Sequence, residues 1–336
     1  MLLDMNISEV APGLYLVPVP IPVPLKYVNC YAARGRSGWT LVDTGFHDAG
    51  AEAAWQAAFR QLGFGPRDVE RVVVTHYHPD HYGASGWLQQ LTGAPVLMLD
   101  REAAMTELMW DPAFRQGAEL AAFFRRNGMP EPLTREMDWY QGKLQALVSP
   151  RPKVTTVREG DRIPVGDRLF EVLWAPGHSD GLMVLWNEEE RILLADDMVL
   201  VKITPNVSLW PRMNPDPLGD FLGSLEKVGR LPAVLTLTGH RQPVYDLAGR
   251  CAELARHHDE RLNAAMELAG GGATAWEVSL GLFGEQDNLH NARFAVAETL
   301  SHLEYLHRRG FLARDEDEGI VRYRRSEPRR AVSVAP

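Results

Sequence analysis

RVVVTHYHPDH, residues 71–81, is the stretch on which the reading of this chain turns. Its first half, Arg71 to Thr75, is a short β-branched run bounded by polar residues, the pattern of a buried strand. Its second half places His76, His78, Asp80 and His81 within six residues. Such a segment makes a poor core, because each buried imidazole needs a hydrogen-bonding partner of its own. Neutral imidazoles and a carboxylate are suitable ligands for a borderline-soft divalent cation such as zinc. A compact loop after a strand also presents these groups in different directions, so they can serve two neighbouring cations.

Outward from this loop, Val10 to Thr44 alternates short apolar runs with turn residues, which predicts strands and hairpins. Pro18, Pro20, Pro22 and Pro24 fall at every second position. Proline offers no ladder donor, so this segment reads as an edge or a loop over a cleft. An Ala-rich helix follows TLVDTG and stops at Gly63. A helix at about 84–92 and the strand PVLML at 95–99 keep up the alternation. Residues 101–150 break it. There Met137, Tyr140, Leu144 and Leu147 have helical spacing, Phe114, Leu120 and Phe124 follow it more loosely, and Pro130 and Pro132 separate the helices. Strands return at KVTTVRE, FEVLWAP, LMVLWN, RILLAD and AVLTLTG. Chemistry-bearing residues at strand ends, with helices between, predict an α/β fold of two packed sheets with helices outside.

The C-terminal segment changes character. Residues 251–269 read as a helix ending at Gly270–Gly272. Thr274, with Glu277 three residues on, opens a second helix with a capping box. A third runs from Leu289 to Arg309, and GFLAR and IVRYRR flank the acidic turn DEDEG. Three helices and a hairpin predict a winged helix over 251–326, followed by a disordered tail at 327–336.

The chain has 336 residues, 45% hydrophobic and 24% charged, enough for two domains and a sizeable core. A net charge of −9 argues against a surface built mainly to hold nucleic acid. Cys30 and Cys251 stand far apart in no metal-binding spacing, which fits a reducing compartment. No apolar run approaches the ~18–20 residues of a membrane span. MLLDMNISEVAPG carries acids and no basic start, unlike a signal peptide. A cytoplasmic location away from membranes is expected.

HxHxDH after a strand resembles the signature of the metallo-β-lactamase superfamily, and later motifs follow in that family's order. Ala175-Pro176-Gly177-His178-Ser179 resembles its PGH turn. Leu193-Leu194-Ala195-Asp196-Asp197 resembles the strand ending in the metal-bridging aspartate, and Leu237-Thr238-Gly239-His240 the final histidine turn. The resemblance covers about residues 10–250. It implies an αββα metallo-β-lactamase sandwich over 1–250 with a helical insertion at about 101–150. VPIPVPLKYVNCY, TPNVSLWP at 204–211 and TAWEVSLGLF point to the subgroup with a C-terminal winged-helix domain. The implied cofactors are two divalent ions, zinc first, with manganese or iron as alternatives. His76, His78 and His178 would hold one, Asp80, His81 and His240 the other, and Asp197 would bridge them. The family usually shows Gly-Asp at the bridge, where this chain has Asp196-Asp197. Val199 and Leu200 align Asp197 with the bridge and leave Asp196 as the alternative. Asp43 in LVDTG resembles the early aspartate that orients the metal loop from behind; a plain turn aspartate is the other reading.

Two ions about 3.5–4 Å apart can share a water and lower its pKa from about 15.7 toward ~7. Asp80, between the metals, would steady the attacking hydroxide's proton, so Asp80 and Asp197 are the catalytic carboxylates of this reading. The family's oxygen-handling members tend to carry glutamate where His78 stands, which disfavours a redox di-iron role. The expected function is hydrolysis of a small ester, thioester or lactone. The alternatives are a single-strand endoribonuclease, like one mammalian relative of the subgroup, and a non-catalytic binding scaffold, against which the complete ligand set argues. β-Lactam hydrolysis is disfavoured because such enzymes are usually exported.

Residues 289–309 are close to neutral, and Asp315-Glu316-Asp317-Glu318 would repel phosphates. Only Arg322, Arg324, Arg325, Arg329 and Arg330 form a basic cluster. A small-molecule substrate is therefore favoured over nucleic acid, and the C-terminal domain reads as packing, gating or forming a homodimer. Tyr82, Trp110, Tyr140 and Trp210 are candidates for the substrate cleft. The apolar insertion reads either as a lid over it or as a helical hairpin with its own core. His47, His257, His258, His290, His302 and His307 are read as ordinary surface or core residues.

Overall fold

The computed structural model describes residues 6–22, 25–111 and 116–326. Pro24, Phe114, Arg329, Arg330 and the whole 327–336 tail, all read from sequence above, lie outside the described residues. The chain divides into two compact units. One comprises Met1–Arg115, Tyr140–Pro205 and Asp220–Leu254, the other Gln116–Trp139, Asn206–Gly219 and Ala255–Pro336.

In the first unit, seven strands form a sheet in chain order: β1 (Ser8–Ala11), β2 (Leu14–Pro20), β3 (Tyr27–Arg34), β4 (Trp39–Val42), β5 (Val69–Val73), β6 (Val96–Leu99) and β7 (Val154–Val157). β1 to β4 pair antiparallel through short turns, and β4 to β7 run parallel. Parallel neighbours need long crossovers, which helices supply. Between β4 and β5 lies α1 (Ala49–Leu62), capped by the Asp48 carboxylate on the Ala51 N–H at 2.9 Å and ended by Gly63 at φ 72°. Next come α2 (Pro79–Tyr82) and α3 (Ser85–Thr92), then α4 (Asp100–Trp110), α5 (Gln116–Arg126), α6 (Glu131–Thr134) and α7 (Met137–Ala146).

A second sheet holds β8 (Arg162–Val165), β9 (Arg168–Trp174), β10 (Met183–Asn187), β11 (Ile192–Asp196) and β12 (Leu235–Thr238), in the order β12-β11-β10-β9-β8, with α8 (Pro217–Gly229) before β12. β8 escaped the sequence reading because Pro164 interrupts its pattern; at the sheet's edge a missing donor is tolerated. Tyr31, Val42, Val73 and Leu99 of the first sheet share one buried core with Phe170, Val172, Met183, Leu185, Leu194 and Leu237 of the second. The two expected sheets therefore pack face to face.

The proline run falls where the first sheet can accept it. β2 is interior where β1 pairs with it, up to Leu16, but from Val17 to Pro20 its one partner is β3. Pro18 and Pro20 occupy this stretch, where among the described residues no further strand needs their missing N–H groups.

The second unit contains α10 (Ala275–Phe283), α11 (Leu289–Arg308) and most of α9 (Leu247–Ala269). Its sheet has the order β13-β15-β14, formed by β13 (Gly271–Ala273), β14 (Leu312–Asp317) and β15 (Ile320–Arg325). The Thr274–Glu277 capping box forms, with reciprocal bonds of 3.2 and 2.7 Å. The expected hairpin gains β13 as a third strand, invisible in sequence because Gly-Gly-Ala carries no apolar pattern. The acidic run is not a turn as read: Asp315 to Asp317 lie in β14, and the chain reverses at Glu318-Gly319, both at positive φ. Residues 116–139 cluster with this unit. Trp276 N–H donates to the Asn127 carbonyl at 3.1 Å, and Phe124 meets Trp210 edge-on at 5.8 Å. Among the described residues no helix is long and apolar enough to cross a membrane.

Candidate metal centre

The rim of the first unit collects side chains from four strand ends. β5 leads to His76, and the following loop and α2 carry His78, Asp80 and His81, with Pro79 opening the helix. His178 follows β9, Asp196 ends β11 with Asp197 next, and His240 follows β12. Two glycines shape the turns. Gly177 sits at φ 130°, where a Cβ would meet Phe221 Cα at 2.4 Å. A Cβ on Gly239 would lie 2.3 Å from Asp197 Oδ1 and 2.4 Å from Asp196 Oδ1, so only glycine lets this turn approach both carboxylates.

The donor atoms form overlapping groups. His76, His78 and His178 converge, as do Asp80, His81 and His240, and His76, His81 and Asp197. His76 Nε2 and His78 Nδ1 face each other at 3.1 Å. Asp197 Oδ2 lies 3.4 Å from His178 Nε2, 3.5 Å from His81 Nε2 and 3.5 Å from His240 Nε2. His240 Nε2 is 3.3 Å from Asp80 Oδ2. Four ligands about 2.1 Å from a tetrahedral cation stand about 3.4 Å from one another, so these spacings suit zinc-like coordination. His81 Nε2 and Asp197 Oδ1 are buried and make no hydrogen bond. Leaving such atoms unsatisfied costs about 1–3 kcal/mol each, which a cation would remove. Of the two neighbouring aspartates, Asp197 faces the Nε2 atoms, whereas Asp196 faces ring backs, 3.2 Å from His81 Nδ1 and 4.0 Å from His76 Nδ1.

The rings are held from behind. Asp43 accepts the Thr75 N–H at 2.8 Å, the Thr75 hydroxyl at 2.9 Å and His81 Nδ1–H at 3.1 Å. Thr75 Oγ1 lies 3.0 Å from His76 Nδ1, and the Tyr27 carbonyl 3.2 Å from His240 Nδ1. With Nδ1 occupied in this way, the Nε2 lone pairs of His76, His81 and His240 face the cluster.

Three supporting residues were missed in the sequence. Buried Glu102 accepts the Tyr77 N–H at 2.6 Å and the Gly181 N–H at 2.7 Å, tying the His76–His81 loop to the His178 loop. Asn29 Nδ2 donates to the Thr238 and Arg241 carbonyls at 2.9 and 2.7 Å, and Tyr31 OH to the Thr238 carbonyl at 2.7 Å. β3 thereby grips the His240 turn. An asparagine inside the apolar run YVNCYA is a signal that could have found this clasp, since a buried amide must bond to something. Glu102 carries no comparable local signal.

Electrostatics follow from burial and crowding. Burial, reinforced by neighbouring imidazoles, holds His76 and His78 well below the usual histidine range, neutral as metal ligands must be. Burial also opposes charge on His81 and His240, but the surrounding carboxylates prevail and push His240 up to about 10. Burial would raise Asp80 and Asp197, yet His81 and His240 hold both carboxyls low. The carboxylates thus demand positive charge here, and protons and cations compete to supply it. Glu102 differs: burial lifts it to about 8 against the amides that favour its ionised form.

The proposed cleft residues fare otherwise. Tyr82 is 1% exposed with its hydroxyl at Thr106, and Trp110 is 3% exposed with its indole donating to the Tyr77 carbonyl at 2.9 Å. Both pack behind the metal loop, so neither forms an open wall. Trp210 is 7% exposed and sits in the second unit between Phe124 and Phe294, under the Arg293 guanidinium. Tyr140 lies half-buried on α7 and is not among the converging residues.

Known proteins resemble this chain throughout. The pattern described as metallo-beta-lactamase superfamily matches residues 23–240, and that of a metallo-beta-lactamase-like C-terminal domain matches residues 262–326. The crystal structure of a metallo-beta-lactamase family protein from Thermus thermophilus is 39% identical, with a TM-score of 0.85 over 94% of this chain and 100% of that one. A Bacillus subtilis protein named "Probable metallo-hydrolase YqjP" is 25% identical over 86% of this chain and 90% of its own length. The human protein named acyl-coenzyme A thioesterase MBLAC2 is 26% identical over 60% of this chain and 66% of its own. With the two-sheet fold and the histidine–aspartate rim in place, these matches show that the chain belongs to the metallo-beta-lactamase superfamily and is a metal-dependent hydrolase.

Proposed function

We propose that the chain is a dinuclear hydrolase of a small ester, thioester or lactone. The observation that carries the dinuclear reading is Asp197 Oδ2, at 3.4 Å from His178 Nε2 and 3.5 Å from both His81 Nε2 and His240 Nε2. His76, His78 and His178 would hold one divalent cation, and Asp80, His81 and His240 the other, with Asp197 shared. Zinc suits this mixed imidazole–carboxylate set, with manganese or iron as alternatives. Bound there, the cations supply Lewis acidity toward a carbonyl oxygen and lower the pKa of water toward ~7. The chain's own groups do the rest. Asp43, the Thr75 hydroxyl and the Tyr27 carbonyl keep the rings oriented, and Asp80 is placed to accept a proton from the attacking water. Water adds to the acyl carbon, the C–O or C–S bond breaks, and the alcohol or thiol leaves with a proton.

Two observations favour acyl transfer over phosphodiester cleavage. One is the likeness to a protein named as an acyl-coenzyme A thioesterase. The other is that three arginines of the C-terminal unit pair with acids: Arg322 with Glu277 at 3.2 Å, Arg324 with Asp315 at 2.7 Å and Arg314 with Glu304 at 3.3 Å. Such pairs leave little positive field for a nucleic-acid backbone. Metal analysis with a panel of acyl and phosphodiester substrates is the test. Two ions per chain and turnover of short acyl thioesters, abolished in His78→Ala and Asp80→Ala, are expected. Cleavage of single-stranded RNA with an inert acyl panel would move the assignment to a nuclease.

A further inference from the structure

Beside the His240 turn lies a cavity of about 360 Å³, within the range of small-molecule sites. Leu16, Pro18 and Pro20 of β2 and Tyr27 of β3 give it apolar walls, and Pro243 closes it behind the turn. Among the described residues, the charged ones lining it are Lys26 and Arg241, both cations, in a chain of net charge −9. Arg241 directly follows His240, and Tyr27, whose carbonyl lies 3.2 Å from His240 Nδ1, lines the cavity as well. Asn29, fully buried, also lines it. Its Nδ2 donates to the Thr238 and Arg241 carbonyls at 2.9 and 2.7 Å, which ties the cavity floor to the His240 turn. Lys26 and Arg241 both stand at positive φ, 69° and 65°, a region that long side chains seldom occupy. Strain of this kind is retained where the side chain has a task that glycine could not perform.

We propose that this cavity takes an apolar segment of the substrate and that Lys26 and Arg241 hold an anionic group at the end of that segment, a carboxylate on the acyl side or a phosphate on the thiol side. The inference rests on the acyl-hydrolase reading above. A cation pair at the mouth of an apolar cavity selects substrates whose apolar segment ends in negative charge, because charge-assisted bonds in a partly dry site are stronger than neutral ones.

The test uses the metal-loaded full chain and four thioesters: butyryl and succinyl groups, each on N-acetylcysteamine and on coenzyme A. A carboxylate in the cavity gives succinyl over butyryl on both thiols. A phosphate gives coenzyme A over N-acetylcysteamine with both acyl groups. Either preference should be about tenfold in kcat/KM, carried mainly by KM, and should collapse in Arg241→Gln and in Lys26→Gln. No preference in the wild type, or one that survives both substitutions, overturns the assignment and leaves the hydrolase reading standing. If none of the four thioesters turns over, the hydrolase reading fails and calorimetry judges the cavity separately. Succinate bound over butyrate, or coenzyme A over N-acetylcysteamine, with the difference lost in Arg241→Gln, keeps the anion site; equal binding in wild type and variant removes it.

Discussion

Glu102 Oε2 accepts the Gly181 amide at 2.7 Å while its Oε1 accepts the Tyr77 amide at 2.6 Å, so one side chain joins the His76–His81 loop to the His178 loop. Glu102→Gln keeps the volume but sets an amide donor against one of these N–H groups. Cation affinity at the His76–His78–His178 group should fall about 10–100-fold, as for other losses of outer support. Competition with a chromophoric chelator measures this. Unchanged affinity would mean the loops hold their shape unaided.

Asp197→Ala removes the oxygen shared between the two groups. The preparation should retain fewer than two ions per chain, and kcat/KM should drop about a thousandfold or more, the loss expected when several kcal/mol of charge stabilisation disappear. Asp196→Asn, which faces ring backs, should cost less. Equal losses from the two substitutions would reverse their assignment.

Gly239→Ala places a methyl group 2.3 Å from Asp197 Oδ1 and 2.4 Å from Asp196 Oδ1. Metal content should fall while the circular dichroism spectrum remains that of the wild type. Full occupancy in this variant would show that the turn can retreat.

Loading of the cations should release protons. Without metal, carboxylates push His240 up to about 10, so it carries a proton at pH 7 that a cation must displace. Affinity should weaken as pH falls, and binding heats should vary with the ionisation enthalpy of the buffer. Buffer-independent heats would contradict this picture.

In the second unit, His302 Nδ1 donates to the Glu298 carbonyl at 2.7 Å, and His258 Nδ1 lies 3.1 Å from His302 Nε2, a spacing for one proton between the two rings. Burial lowers them to about 3 and about 4. An unfolded histidine titrates near ~6.5, so the pair stabilises fully above that pH and loses its contribution as pH falls toward 4 and then 3. At pH 5 the loss is on the order of 2 kcal/mol per histidine. Thermal melts at pH 7 and pH 5 should differ more for the wild type than for a His258→Gln/His302→Gln double variant.

The parts legible in the sequence were those whose physics is local. HxHxDH, the PGH turn and Gly239-His240 announce themselves because ligand chemistry needs particular residue types at close spacing, and the Thr274 capping box because its two partners are three residues apart. Glu102, Asn29 and Tyr31 act across 25 to 212 residues of chain and leave no nearby pattern. Tyr82, Trp110 and Trp210, read as cleft candidates because large aromatics lie near a motif, are buried by packing that no local pattern of the sequence shows. β13 was hidden for the opposite reason, being made of backbone with almost no side chain.

Asn29 and Thr238, bonded to one another, are separated by 209 positions. A ribosome delivers the first long before the second, and closing so large a loop is entropically slow. The growing polypeptide therefore carries its HxHxDH loop well before the clasp that seats His240 exists. At that stage four of the seven converging side chains have been made, and the complete histidine–aspartate rim exists only once the turns after β9, β11 and β12 have been added.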